Sequence, residues 1–109
     1  MSNWHFDMNE RREDGRVRLS LLGELDLASL PALDSCLRSL REQNQPVRLD
    51  LSQLDFIDST GIHLLYRVLH DAREEGWQLQ VDPELTPGVQ RVLTLVKLKD
   101  FIVRGTDGS

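Results

Sequence analysis

The chain has 109 residues, of which 39% are hydrophobic and 28% charged, and it carries a net charge of −5, which suits one globular domain with a single core. The nearest thing to a basic cluster is Arg11 with Arg12, answered at once by Glu13 and Asp14, so neither nucleic acid nor an anionic membrane surface is the expected partner. No apolar run approaches the length of a membrane span, residues 1–10 lack a signal-peptide core, and the single cysteine, Cys36, excludes an intrachain disulfide; a cytoplasmic protein is expected.

Residues 4–8 alternate apolar and polar, with Trp4, Phe6 and Met8 on one face, and predict a first strand. Asp14-Gly15 is a hairpin signal leading into a second strand over 17–21, with Val17, Leu19 and Leu21 inward. A helix follows on the spacing of Leu30, Leu33, Leu37 and Leu40, with Ser29 as N-cap and Pro31 in its first turn, or with Asp26 opening the turn earlier. Cys36 falls on the apolar side of this helix as a small hydrophobe rather than a reactive thiol. Strand pattern returns at 47–51, and a second helix runs from Ile62 to about residue 75, carrying Ile62, Leu65, Tyr66 and Leu69 and stopping near Gly76.

Residues 77–81, with Trp77, Leu79 and Val81 inward, read as a further strand. Thr86-Pro87 is a cap followed by an N1 proline, opening a helix with Val89, Val92, Leu93 and Val96 on one face and Lys97 and Lys99 near its negative end. Phe101, Ile102 and Val103 suggest a short last strand, and 105–109 a frayed tail.

The order β-β-α-β-α-β-α-β defines an α/β fold, an N-terminal hairpin followed by right-handed crossovers, with a mixed, mostly parallel sheet. Parallel strands covered on both faces are apolar throughout. Here Arg18, Ser20, Arg48, Asp50, Gln78 and Gln80 alternate with the apolar positions, so the helices are expected mainly on one face. The polar open face suggests a monomer. A single domain is expected over 1–109, its core spanning about 4–104.

Function in such sheets gathers where strands run into their following loops. Those ends carry Glu24 and Asp26, then Asp55, Asp58, Ser59 and Thr60, then Asp82 and Glu84. Four readings compete for this acidic edge. Asp58, Ser59 and Thr60 are residues that cap helices, and capping alone would account for them. A serine nucleophile needs a base, yet nothing places His5, His63 or His70 beside Ser59, and the glycine two residues before the serine of a nucleophile elbow is missing. Asp26, Asp58 and Asp82 suggest a divalent-metal or phospho-aspartate site, but a response-regulator receiver also needs paired acids after its first strand and a lysine near the last one, and here the last strand ends in Arg104-Gly105 with its nearest lysine, Lys99, before it. Gly61 stands alone, without a phosphate-cradling glycine loop.

Regulated docking is the remaining reading. A serine where a strand meets a helix offers its hydroxyl to a partner and to a kinase, and a phosphate there adds roughly −1.5 to −2 charge. The helix dipole favours that charge by about 0.3–1 kcal/mol, whereas Asp58 and an acidic or apolar partner surface oppose it. The domain tolerates the mark and the complex does not. No catalytic residue and no cofactor or metal is needed within the chain.

The run Leu22-Gly23-Glu24-Leu25-Asp26, then Leu49-Asp50-Leu51, then Phe56-Ile57-Asp58-Ser59-Thr60-Gly61 into the second helix resembles the STAS domain of bacterial anti-sigma factor antagonists, over about residues 16–104. The resemblance implies a phosphoacceptor at Ser59, the hydroxyl residue directly after the motif aspartate Asp58, with Asp26 as the acidic position near it. It implies as partner an anti-sigma factor with a histidine-kinase-like ATPase domain, which binds the unphosphorylated antagonist, thereby releasing the sigma factor, and ends the complex by phosphorylating it, and a PP2C-type phosphatase that restores it. The implied partner-binding set is Glu24, Asp26, Asp58, Ser59, Thr60, Gly61, Ile62 and His63. Several family members continue the motif with Gly-apolar-Gly, where this chain has Gly61, Ile62 and His63; a histidine there is either an ordinary exposed helix residue, the reading preferred, or one that enlarges the docking face and makes docking pH-sensitive. The same domain also serves as a non-catalytic subunit of ABC lipid-transport complexes or stress-sensing assemblies, which is the alternative role.

Overall fold

The computed structural model describes residues 5–104. Strand β1 (Phe6–Glu13) and strand β2 (Arg16–Leu25) form an antiparallel hairpin in which Glu13 faces Arg16. The turn residues Asp14 (φ 51°) and Gly15 (φ 79°) both sit at positive φ, the conformation a two-residue hairpin loop requires and the one an Asp-Gly pair adopts readily. Strand β3 (Val47–Ile57) pairs parallel with β2, and strand β4 (Leu79–Val81) pairs parallel with β3, giving the sheet order β1-β2-β3-β4.

The connections are helical. Helix α1 (Leu30–Glu42) joins β2 to β3 and helix α2 (Ser59–Glu75) joins β3 to β4. Helix α3 (Pro87–Leu95) and helix α4 (Lys99–Arg104) follow the sheet. Alternate strand residues Val17, Leu19, Leu21, Val47, Leu49, Leu51, Leu79 and Val81 are buried and meet Leu33, Leu37, Leu40, Leu65, Leu69, Leu93 and Ile102 from the helices. The opposite sheet face keeps its polar residues by pairing them. Arg18 donates to Glu13 (3.1 Å), Asp50 (3.4 Å) and Asp82 (2.7 Å), while Arg48 donates to Asp82 and to Gln80 (3.1 Å). Hydrogen bonds to Asp82 and then Glu13 raise the Arg18 pKa and hold the guanidinium cationic.

Elements differ from the sequence pattern where propensity and packing disagree. Residues 101–103 are not a strand: they lie in α4, where Ile102 N–H donates to Leu98 O at 2.9 Å. A helical turn buries Ile102 completely while Phe101 packs on Tyr66 (ring centroids 4.7 Å) under the Arg73 guanidinium (5.6 Å), and the short β4 edge offers little for another strand to pair with. β1 extends past residue 8 to Glu13 because an edge strand tolerates polar residues on both faces. β3 runs on to Ile57 through register shifts against β2 near Leu22 and Glu24, which break the period-two pattern. Trp77 lies outside β4, anchored by its indole N–H on Gln45 O at 2.6 Å. Tyr66 and Val96, expected on inward stripes, are exposed. Trp4 and the tail 105–109 lie outside the described residues.

Candidate docking site at the start of α2

The site begins where β3 ends. The Asp58 N–H donates to Leu25 O at 3.1 Å, so the parallel pairing of β2 and β3 carries through to the residue that caps α2. Asp58 has extended backbone (φ −102°, ψ −178°), and its Oδ1 accepts from the Gly61 N–H at 3.0 Å and from the Thr60 hydroxyl at 2.6 Å. Burial pushes this carboxyl pKa up, but the hydrogen bonds from Thr60 and Gly61, with further backbone donors at Thr60 and Leu27, outweigh it and hold the group below the usual carboxylate range. Asp58 is therefore an ionised cap at neutral pH.

That cap divides the two hydroxyls. Thr60 is half-buried and spends its O–H on Asp58. Ser59, the first residue of α2, is exposed, and among the described residues its hydroxyl has no hydrogen-bond partner. The next residue must be small. A Cβ on Gly61 would stand 2.9 Å from Leu25 Cγ and 3.0 Å from both Ile57 Cγ1 and Leu25 O. The absence of a side chain seats α2 directly on the ends of β2 and β3 and fixes where Ser59 points.

The neighbouring junction, between β2 and α1, uses the same residue types differently. Asp26 Oδ1 accepts from the Ala28 N–H (3.1 Å) and the Ser29 N–H (3.2 Å). Ser29 occupies the N-cap position in α-helical backbone and makes no capping bond to α1; its hydroxyl donates to Glu24 O at 2.8 Å and the residue is fully buried. Asp26 thus performs the turn-opening role, and its Oδ2 stands 3.8 Å from His5 Nε2.

Ser59, Thr60 and His63 open onto a groove between α1 and α2 of about 780 Å³, whose remaining walls are Leu30, Pro31, Asp34, Leu64 and Arg67. Asp34 ties the two helices together, accepting from Arg38 (2.9 Å) on its own helix and from Arg67 (3.4 Å) on α2. Two apolar side chains, Leu27 (69% exposed) and Phe56 (47% exposed), stand on the same end of the sheet.

Glu24, Asp26, Asp58, Ser59, Thr60 and His63 retain solvent access at this end of the molecule. Ile62 does not: it is 6% exposed and belongs to the core, because the turn that presents Ser59 and His63 outward places Ile62 inward. Gly61 is likewise buried, and its contribution is close packing rather than contact. Asp82 is committed to Arg18 and Arg48 on the polar sheet face, so it does not join Asp26 and Asp58. Among the described residues, no group of three or more His, Cys, Asp or Glu side chains is placed to hold a metal ion. Among them, too, no helix is long and apolar enough to cross a membrane. Sequence reasoning missed the groove walls. Leu30 was legible only as part of an inward stripe, and Leu64, Asp34 and Arg67 gain meaning only once α1 and α2 are side by side.

This arrangement of sheet, junctions and helices is that of a known class. The family model described as Mlab, STAS domain matches residues 8–104, and the chain belongs to the STAS domain family. A curated relative, the anti-sigma-B factor antagonist of Bacillus subtilis (strain 168), is 27% identical over 100 residues, covering 92% of this chain and 89% of its own. Among solved structures, an anti-sigma factor antagonist from Mycobacterium paratuberculosis superposes with a TM-score of 0.69 at 22% identity, covering 94% of this chain and 86% of that one. The anti-sigma factor antagonist SpoIIAA in its unphosphorylated form gives 0.69 at 18% identity, over 85% of this chain and 83% of that one. At these identities the structural likeness speaks for the fold. These relatives are regulatory binding proteins rather than enzymes, in keeping with a site that presents a free hydroxyl and a groove.

Proposed function

We propose that this chain is an anti-sigma factor antagonist that docks on an anti-sigma factor through the start of α2 and is released when Ser59 is phosphorylated. The observation that carries the proposal is the exposed, unpartnered Ser59 hydroxyl at the mouth of the α1–α2 groove, on a domain whose curated relative bears that function. In the proposed cycle a histidine-kinase-like ATPase domain of the anti-sigma factor transfers the γ-phosphoryl group of ATP to Ser59 Oγ. The hydroxyl proton leaves, ADP is released, and a PP2C-type phosphatase later hydrolyses the ester. A cytoplasmic setting follows from such partners. The new charge arrives beside the ionised Asp58 and in front of a largely apolar groove, so an acidic or apolar partner surface is expelled while the helix tolerates the mark.

Titration of the cognate anti-sigma factor with variants tests this. Ser59→Ala should bind like the unmodified protein, and Ser59→Asp should bind about tenfold or more weakly, ≈ 1.4 kcal/mol. Equal binding by both would reject docking at this edge. A second reading has its own support: the matched family is described as Mlab, STAS domain, not by sigma regulation. In that reading the same face docks permanently in an ABC lipid-transport or stress-sensing assembly. A permease and ATPase gene pair beside the coding gene favours it; a kinase-type anti-sigma factor gene favours the first.

A further inference from the structure

A phosphate on Ser59 lands next to a fixed negative charge. Asp58 already accepts the Gly61 N–H and the Thr60 hydroxyl, so the donors that would welcome an anion at this helix start are largely taken. The mark therefore needs a cation from elsewhere. Ser59, His63 and Arg67 recur at four-residue spacing along α2, and all three line the same groove. Residues at i and i+4 of a helix stand about 5–6 Å apart at Cβ, and helical side chains lean towards the N-terminus. Helix geometry therefore brings His63 within reach of a group carried on Ser59, a proximity that the sequence motifs did not single out. Arg67 lies a further turn away and is already paired with Asp34 across the groove. The charged groups that line the groove with His63 are Asp34 from α1 and Arg67 from α2, and Asp58 caps the same helix. His63 is exposed.

We infer that the phosphorylated state is held by an ion pair between the Ser59 phosphate and protonated His63, which lays the phosphate across the mouth of the α1–α2 groove. This rests on Ser59 being the phosphoacceptor and adds what the mark does once there. The phosphate oxygens occupy the surface a partner would enter, and the pair couples the two titrations. A free imidazole titrates near about 6.5 and a phosphoserine near about 6. Pairing favours the imidazolium and the phosphate dianion together, raising the first value and lowering the second. The clamp is strongest where the phosphate is already a dianion and the imidazole is still protonated, and it weakens on either side.

The test installs phosphoserine at position 59 by genetic encoding, so that it does not depend on any kinase. His63 is followed by proton–carbon NMR and the phosphate by phosphorus NMR across pH 5–8, in the phosphorylated and unmodified proteins and in phosphorylated His63→Asn and Arg67→Ala. The expected result is a rise in the His63 titration midpoint of about 0.5–1 unit on phosphorylation, with the phosphate midpoint lowered, and a return of the phosphate midpoint towards that of an exposed phosphoserine in His63→Asn. An unchanged His63 midpoint overturns the inference, as does a phosphate midpoint that responds to Arg67→Ala but not to His63→Asn. Failure of a kinase to modify Ser59 in the wild-type protein would instead strike the proposed function and leave the clamp measurement standing.

Discussion

The two strand-to-helix junctions on neighbouring strands are built from the same residue types and end with opposite properties. At the β2–α1 junction a serine three residues after its aspartate is fully buried and donates its hydroxyl to Glu24 O. At the β3–α2 junction a serine directly after its aspartate is the first residue of the helix and lies exposed, its capping work done by Asp58. The aspartate stabilises the turn in both. Spacing decides whether the serine serves the fold or is left available for chemistry. A hydroxyl already spent on the backbone cannot be a switch without unfolding what it holds.

Substitutions at the two junctions should separate these roles. The largest effect is expected at Gly61, where a side chain must displace Leu25 and Ile57. Gly61→Val should cost about 3 kcal/mol, the upper part of the range for overpacking, read as a lowered midpoint in chemical denaturation. Ser29→Ala should cost about 1–2 kcal/mol by removing the buried hydroxyl that donates to the Glu24 carbonyl. Ser59→Ala should stay within about 0.5 kcal/mol of wild type, as for other surface positions. Equal destabilisation by the two serine substitutions would erase the distinction between the junctions.

Asp58→Ala should cost about 0.5–2 kcal/mol through loss of the cap, with Asp58→Asn losing little at neutral pH. Acid sharpens this further. Asp58 and Asp50 are both held below the ordinary carboxylate range. For Asp50, burial opposes this and is outweighed by hydrogen bonds from Ser52, the Arg18 charge and the Ser20 hydroxyl. A lowered folded pKa gives stability that is complete above the unfolded value of 3.8 and is lost as pH falls through the folded value. Stability should therefore drop below about pH 4, and less steeply in Asp58→Asn than in wild type. Identical acid slopes in the two proteins would show that the Asp58 cap contributes nothing through its charge.

Much of this was legible in the chain before folding. Asp14-Gly15 marked the hairpin and occupies its turn at positive φ. Thr86-Pro87 marked the start of α3, where the Thr86 hydroxyl accepts from the Val89 N–H at 3.4 Å. Gly76 closes α2 in left-handed conformation. The alternation of Arg18, Ser20, Arg48 and Asp50 with apolar residues foretold an uncovered sheet face, though not that Asp82 would bridge two arginines there. What escaped depended on tertiary contact. A β-prone Phe-Ile-Val triplet became α4 because Tyr66 and Arg73 offered Phe101 a surface. The placement of Ser59 was readable from local order, whereas the groove beside it required α1 and α2 to pack together. Ile62 was expected both on the apolar stripe of the second helix and in the docking set, and of the two places it takes the buried one.

The most direct test of the central claim is to incubate the protein with the anti-sigma factor kinase of the proposed cycle and ATP and to map the phosphate by tandem mass spectrometry. A single phosphate on Ser59, absent in Ser59→Ala, is the predicted result. Phosphate on Thr60 or elsewhere, with Ser59 unmodified, would contradict the account.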